Sequence, residues 1–373
     1  MTRALARLLP GVVIVLTQAT PASALPTMIR IGYTNCAACH VSPQGAGPLT
    51  EYGRGIDLAQ SLQGGEYLAE TAHKKLLQDL RGVVQGTWAG TGSNGSTSYR
   101  PRLLYRNVTE LSKSVRLSGV ATIEGATALR PARSYDPAAA ASTLFVNTAL
   151  VHYRPAKTLE FAAGRDQLPS GVNISDLGAY IKSRNRLGYY DAPTQVKMYW
   201  WGKRHQVTPF VYGPGGNEAA GEHESGGGAL AEFDVLGNQR TVVGASFLKG
   251  TARNGDRQVI GGYARLGFGP WGILAEHDVT DRTRSSLSRS FRQHASFTQV
   301  FWATREWLVL SVIGERLRVE QPFDQRLNAG KVEVAARLAP QATVTLGGRV
   351  EKNLMTGVFS RSLLLQMAFK TVN

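Results

Sequence analysis

From about Leu80 to the C-terminus, apolar and polar residues alternate with a period of two. Within Ala342–Glu351, Ala342, Val344, Leu346 and Val350 share one face, and Thr343, Thr345, Arg349 and Glu351 share the other. Near the end, Leu363, Leu365, Met367 and Phe369 stand opposite Ser362, Gln366 and Ala368. That period belongs to strands with two unlike faces. It predicts sixteen strands, beginning near 80–89, 101–110 and 113–126 and ending near 328–338, 341–351 and 361–370.

The connections between these strands alternate in length. Tight ones carry turn chemistry, as at Gly202-Lys203-Arg204, Leu236-Gly237-Asn238-Gln239, Gly269-Pro270 and Ala339-Pro340-Gln341. Long polar ones lie between them, at 90–99, 127–143, 167–192 and 213–226. An even strand number with tight turns at one end and long loops at the other predicts an all-β fold, a 16-stranded antiparallel outer-membrane β-barrel. A soluble β-sandwich does not predict such alternation. Aromatic residues recur near strand ends (Trp88, Tyr153, Trp200, Trp201, Trp271, Trp302, Trp307), as an interfacial girdle requires. Phe369, followed only by Lys370 to Asn373, takes the place of a terminal aromatic.

The first 75 residues read differently. Arg3 and Arg7, the apolar run Leu8 to Leu16 and the small-residue triplet Ala22-Ser23-Ala24 form a signal peptide over 1–24. The mature chain would begin at Leu25, and the apolar run is too short for a membrane-spanning helix. Residues 25–75 are rich in Gly and Pro around 35–54, and the barrel occupies 76–373.

In the 25–75 segment lies Cys36-Ala37-Ala38-Cys39-His40, with the only two cysteines of the chain. Two thiols at this spacing followed by a histidine form the pattern of c-type haem attachment. Cys36 and Cys39 would carry the thioether links, and His40 would be the proximal iron ligand. A Cys36–Cys39 disulfide is the alternative, but it leaves His40 without a role. One covalent haem c would supply a core that so short a segment lacks. His73 at the junction with the barrel, or Met28, is the candidate distal ligand, and Arg54 is a candidate partner for a haem propionate.

The formal net charge of +15 is scattered through strand-like segments, with no basic tail and no nucleic-acid motif. It suits a surface or lumen facing anionic lipid or small anions, and nucleic acid is not an expected partner. Arg165, Arg265 and Arg349 fall on candidate lumen faces. Glu218, Glu222, His223 and Glu224 in a glycine-rich loop could hold a divalent metal transiently, although most such loops are simply solvated. The loop 167–192 could fold inward as a constriction.

Cys36-Ala37-Ala38-Cys39-His40, followed by Leu49-Thr50-Glu51-Tyr52-Gly53-Arg54, resembles the fused outer-membrane monohaem cytochrome–porins. The resemblance is specific over that short stretch and only architectural over the barrel. It implies one-electron transfer through the haem from an extracellular donor such as ferrous iron to a periplasmic electron-transfer protein. The barrel would sit in the lipid of the bacterial outer membrane. The rival expectation is a diffusion porin whose haem segment is a plug or gate.

Overall fold

The computed structural model of the chain describes residues 39–40, 49–50, 52–53 and 56, and then 76–371 apart from 92–93, 125–143, 175, 177, 189–190, 216–222, 285–288, 306, 321 and 340. Sixteen antiparallel strands form one sheet. They are β1 (Leu76–Thr91), β2 (Asn94–Glu110), β3 (Val115–Glu124), β4 (Leu144–Ala156), β5 (Leu159–Arg165), β6 (Thr194–Trp201), β7 (His205–Gly213) and β8 (Ser225–Asp234). The second half comprises β9 (Thr241–Ala252), β10 (Gly255–Phe268), β11 (Trp271–Arg284), β12 (Arg289–Arg305), β13 (Leu308–Val319), β14 (Gln325–Ala339), β15 (Ala342–Asn353) and β16 (Phe359–Lys370). Each strand pairs with its neighbours in sequence, and β1 pairs with β16 to close the barrel, so the sheet has no free edge.

Two connections differ from the sequence expectation. β9 and β10 meet in a two-residue turn at 253–254, where alternation predicts a long loop, and β1 and β2 also join tightly. Residues 90–99 are not a long loop: β1 and β2 run on as a hairpin, with Gly90 opposite Gly95 and Thr91 opposite Asn94. The Trp88 ring covers Gly95, where an added Cβ would lie 2.6 Å from it. Ring and glycine together extend the ladder through residues that look like loop in sequence. Long stretches, 125–143, 166–193 and 214–224, still separate β3 from β4, β5 from β6 and β7 from β8, at the strand ends opposite the tight turns at 202–204 and 269–270.

The two faces of the wall are unlike. Facing outward, Ile273, Val300, Val312 and Val332 sit side by side in register across β11–β14. Val312 and Val332 are about 60% exposed, a state that fits contact with acyl chains rather than water. Trp271 and Trp302 are paired across β11 and β12, their rings stacked 5.2 Å apart at the end of the barrel that carries the tight turns. Trp88 marks the other end, and Phe369 is exposed on the outer face as expected of a terminal aromatic. Trp307 departs from the girdle reading, because it is buried. A closed barrel with an apolar outer belt satisfies every backbone group internally and spans a membrane. No helix among the described residues is long and apolar enough to cross one.

Candidate functional site

The lumen is crossed by residues 166–193, between β5 and β6, which fold inward and carry one short helix, α1 (Tyr180–Ser183). The fold inward is driven by burial. Val172, Ala179, Tyr180 and Ile181 join Leu274, Ala295, Phe297 and Phe301 of the inner wall in one apolar cluster. Ile181 is fully buried, a state that contributes about 1.5–3 kcal/mol for a side chain of its size.

A loop inside a barrel needs partners for its peptide groups, and here the wall supplies them with side chains. Glu276 accepts from the Val172 N–H at 2.7 Å, and Glu315 accepts from the Tyr180 N–H at 2.7 Å. Asn185 is held on three sides: it donates to Asp278 at 2.7 Å and accepts from Thr280 at 2.9 Å and Gln293 at 2.7 Å. The Arg257 guanidinium donates to the carbonyls of Asn185 and Arg186, and it pairs with Glu224. Gly171 is required where the loop passes Glu276. Its φ is +49°, and a Cβ there would stand 1.8 Å from the Glu276 carboxylate.

Two further contacts fix the loop across the pore. Asp176 pairs with Lys331 of β14 at 2.9 Å, and the Tyr180 hydroxyl donates to Glu351 of β15 at 2.6 Å. Arg349 lies over the Tyr180 ring, 5.1 Å from its centroid, and pairs with Glu315 and Glu351. Burial would raise the Asp176 carboxyl, but the Lys331 ammonium and the Gly178 N–H hold it below the usual carboxylate range. Burial and Glu351 push the Tyr180 phenol up, so its hydroxyl stays protonated and donates.

Near the turn end of the lumen, Glu160 gathers a second network. It accepts from Arg116 at 2.9 Å, from Arg154 at 2.7 Å and from His152 Nδ1 at 2.8 Å. Nδ1 therefore carries the proton, and Nε2 accepts from the Ser118 hydroxyl at 2.9 Å. His152 is a wall residue, as the sequence suggests, and its chain of bonds closes on two guanidiniums. Lys197 meets Asp166 at 2.6 Å and ties down the start of the inward loop.

Of the haem-site residues predicted from sequence, Cys39 and His40 are described, both partly buried, while Cys36, Arg54, His73 and Met28 lie outside the described residues. His40 and Leu49 form a β-bridge that closes the stretch between them. The Thr50 N–H donates to the Cys39 carbonyl at 2.9 Å, and the Thr50 hydroxyl accepts from the Gly53 N–H at 3.0 Å. Gly53 rests directly on that carbonyl, since a Cβ there would be 2.0 Å from the oxygen. The two pieces of the sequence motif, separate in the chain, are thus folded against each other.

Other expectations fare unevenly. Arg349 and Arg265 face the lumen, where Arg265 pairs with Glu232 at 2.7 Å, and Arg165 donates to the Gly215 carbonyl. Glu224 pairs with Arg257 and accepts from the Tyr212 hydroxyl, while Glu218 and Glu222 lie outside the described residues. Among the described residues no group of three potential ligands is placed to hold a metal. Glu276, Asp278, Glu315 and Asn185 escape the sequence reading. The signal was there in Glu276-x-Asp278, two acids on the inward face of a strand, where only a partner makes burial tolerable.

No protein-family model matches the chain, and no curated protein matches it in sequence. Solved structures do match in fold. A loop-deletion mutant of OmpT, an outer membrane protein of Vibrio cholerae, has a TM-score of 0.60 at 10% identity, covering 80% of this chain and all (100%) of the other. OprB of Pseudomonas putida has a TM-score of 0.60 at 10% identity over 84% of this chain and 98% of its own. An anion-selective porin from Comamonas acidovorans has a TM-score of 0.55 at 11% identity, over 79% and 100%. The chain therefore has the fold of the bacterial outer-membrane porins.

Proposed function

We propose that this protein is an outer-membrane diffusion pore whose lumen is narrowed by residues 166–193. The observation that carries this reading is the loop itself: it is packed by Ile181 and Tyr180 and pinned by wall carboxylates into a fixed constriction. The formal net charge of +15 favours small anions over cations in such a lumen. The test is conductance in planar bilayers, for the native protein and for Ile181→Ala. Stable single-channel steps with an anion-favouring reversal potential are expected. Removing the buried side chain weakens loop docking by about 2–5 kcal/mol and should give larger, noisier steps. Absence of steps from correctly folded protein would refute the pore.

A second reading rests on Cys36-Ala37-Ala38-Cys39-His40. In it the chain is an outer-membrane c-type cytochrome–porin, in which one haem c supplies one-electron chemistry between an external donor such as ferrous iron and a periplasmic electron-transfer protein. Cys36 and Cys39 would hold the group covalently, His40 would ligate its iron, His73 would take the distal position and Arg54 would pair with a propionate. The residues present fit such a group. In support, the Thr50 N–H bonds to the Cys39 carbonyl and Gly53 packs on it, which brings the Thr50–Gly53 piece of the motif against Cys39. Absorption spectra of purified protein, with Cys36→Ala, Cys39→Ala as control, test it. Haem bands absent from the control and reduced by ferrous iron are expected, and a native protein without haem bands would overturn the reading.

A further inference from the structure

On the outer face of β11–β14, at the end opposite the tight turns, the apolar belt gives way to a cationic row. Its two guanidiniums, Arg318 and Arg326, are direct neighbours in register across β13 and β14, with the His294 imidazole of β12 beside Arg318. Arg316 lies one step nearer the belt, between Ser296 and Asn328. Like charges directly opposite on a sheet oppose its formation, so such a row calls for an anion from elsewhere. The chain supplies only part of one. Glu320 stands 3.3 Å from Arg318, and Asp324 stands 3.4 Å from Arg326. Each is a long, single contact, and a guanidinium has five donors. Arg318 and Arg326 keep about half of their side-chain surface exposed, at 51% and 49%.

Two features of shape accompany the charge. A cavity of about 720 Å³ opens at this rim, lined by Arg292, Arg318 and Arg326 and also by Asp281, Glu320 and Asp324. Arg292 is held by both carboxylate oxygens of Asp281, which leaves Arg318 and Arg326 as its available guanidiniums. Just below the row, Gly314 and Gly330 face each other across β13 and β14, and nothing lies within 4 Å of where either Cβ would be. They leave a smooth notch in the wall that continues into the belt at Val312 and Val332. Headgroup-sized space beside Arg318 and Arg326, with carboxylates on its rim, lies above a notch leading into acyl-chain territory and has the outline of one amphiphile.

We infer that this flank binds a phosphate-bearing lipid of the outer leaflet. Its phosphates meet Arg316, Arg318 and Arg326 through charge-assisted, bidentate hydrogen bonds, and one acyl chain lies along the Gly314–Gly330 notch. The site is on the outer wall and is independent of both the pore and the haem.

The test is retention of lipid by full-length protein in nanodiscs containing lipid A, compared with enzymatically dephosphorylated lipid A and read by native mass spectrometry. The phosphorylated lipid should be retained at least tenfold better, a difference of ~1.4 kcal/mol. Arg316→Ala, Arg318→Ala, Arg326→Ala should abolish the preference, with folding checked by heat-modifiable migration in gels. Equal retention of both lipids by the native protein would overturn the inference without recourse to any variant. So would an unchanged preference in the folded triple variant, or inorganic phosphate binding as well as the lipid.

Discussion

Gly53 shows how much one missing side chain can decide. It is neither at a positive φ nor in a loop tip; it is needed because the Cys39 carbonyl occupies the place of its Cβ. Gly53→Ala forces either the helical turn at 52–53 or the attachment motif to move, and overpacking of this kind costs about 1–3 kcal/mol locally. Under the proposed cytochrome–porin reading, the expected outcome is a barrel that still folds and shows heat-modifiable migration, with haem attachment, measured by peroxidase stain per mole of protein, strongly reduced. Full haem loading in the variant would show that the contact does not order the motif. The resemblance named this glycine as part of a motif; only the fold shows what it touches.

At the scale of elements, the inward loop is a segment with little secondary structure of its own. It is held by an apolar cluster and by carboxylates that project from β11, β13 and β15. Its link to β14 has a pH signature. The Asp176 carboxyl sits below its ordinary value in the folded state, so the stabilisation from its pair with Lys331 is complete above about pH 4 and fades only as pH falls through the depressed value. Conductance noise should therefore stay flat from neutral pH down to about 4 and rise below it, whereas Asp176→Asn should be noisy throughout. A native channel that first becomes noisy near neutrality would show that another group controls the loop. Elements also explain the misread stretch at 90–99: Gly, Ser, Thr and Asn look like loop in sequence, yet Gly90 and Thr91 of β1 have ladder partners on both β16 and β2, and residues 94–99 of β2 pair with β1.

For the whole molecule, closure and a lipid-facing belt make one testable statement. Val312 projects outward in the middle of the belt, flanked in register by Val300 and Val332. Val312→Arg places a charge among acyl chains and should cost about 2–4 kcal/mol of stability near the bilayer midplane. Denaturant titration of protein folded into vesicles measures it. A negligible change would mean that this face is covered by something polar instead of lipid.

The sequence by itself determined the class of this protein. Period-two alternation in Ala342–Glu351 and its counterparts, tight turns at Gly269-Pro270 and Ala339-Pro340, and long loops between them admit little but an even-stranded barrel, because those signals are local and each strand carries its own. Cys36-Ala37-Ala38-Cys39-His40 is likewise a local signal, the pattern on which the proposed haem attachment rests. The tertiary structure decided what depends on residues far apart in the chain. Tyr180 meets Glu315 and Glu351, Asn185 meets Asp278, and Arg318 comes to lie beside Arg326 only once strands are in register and the barrel has closed. Register turns a scattered set of charges into a clamp on the loop and a row on the rim, since the sheet fixes which side chains become neighbours at about 5 Å.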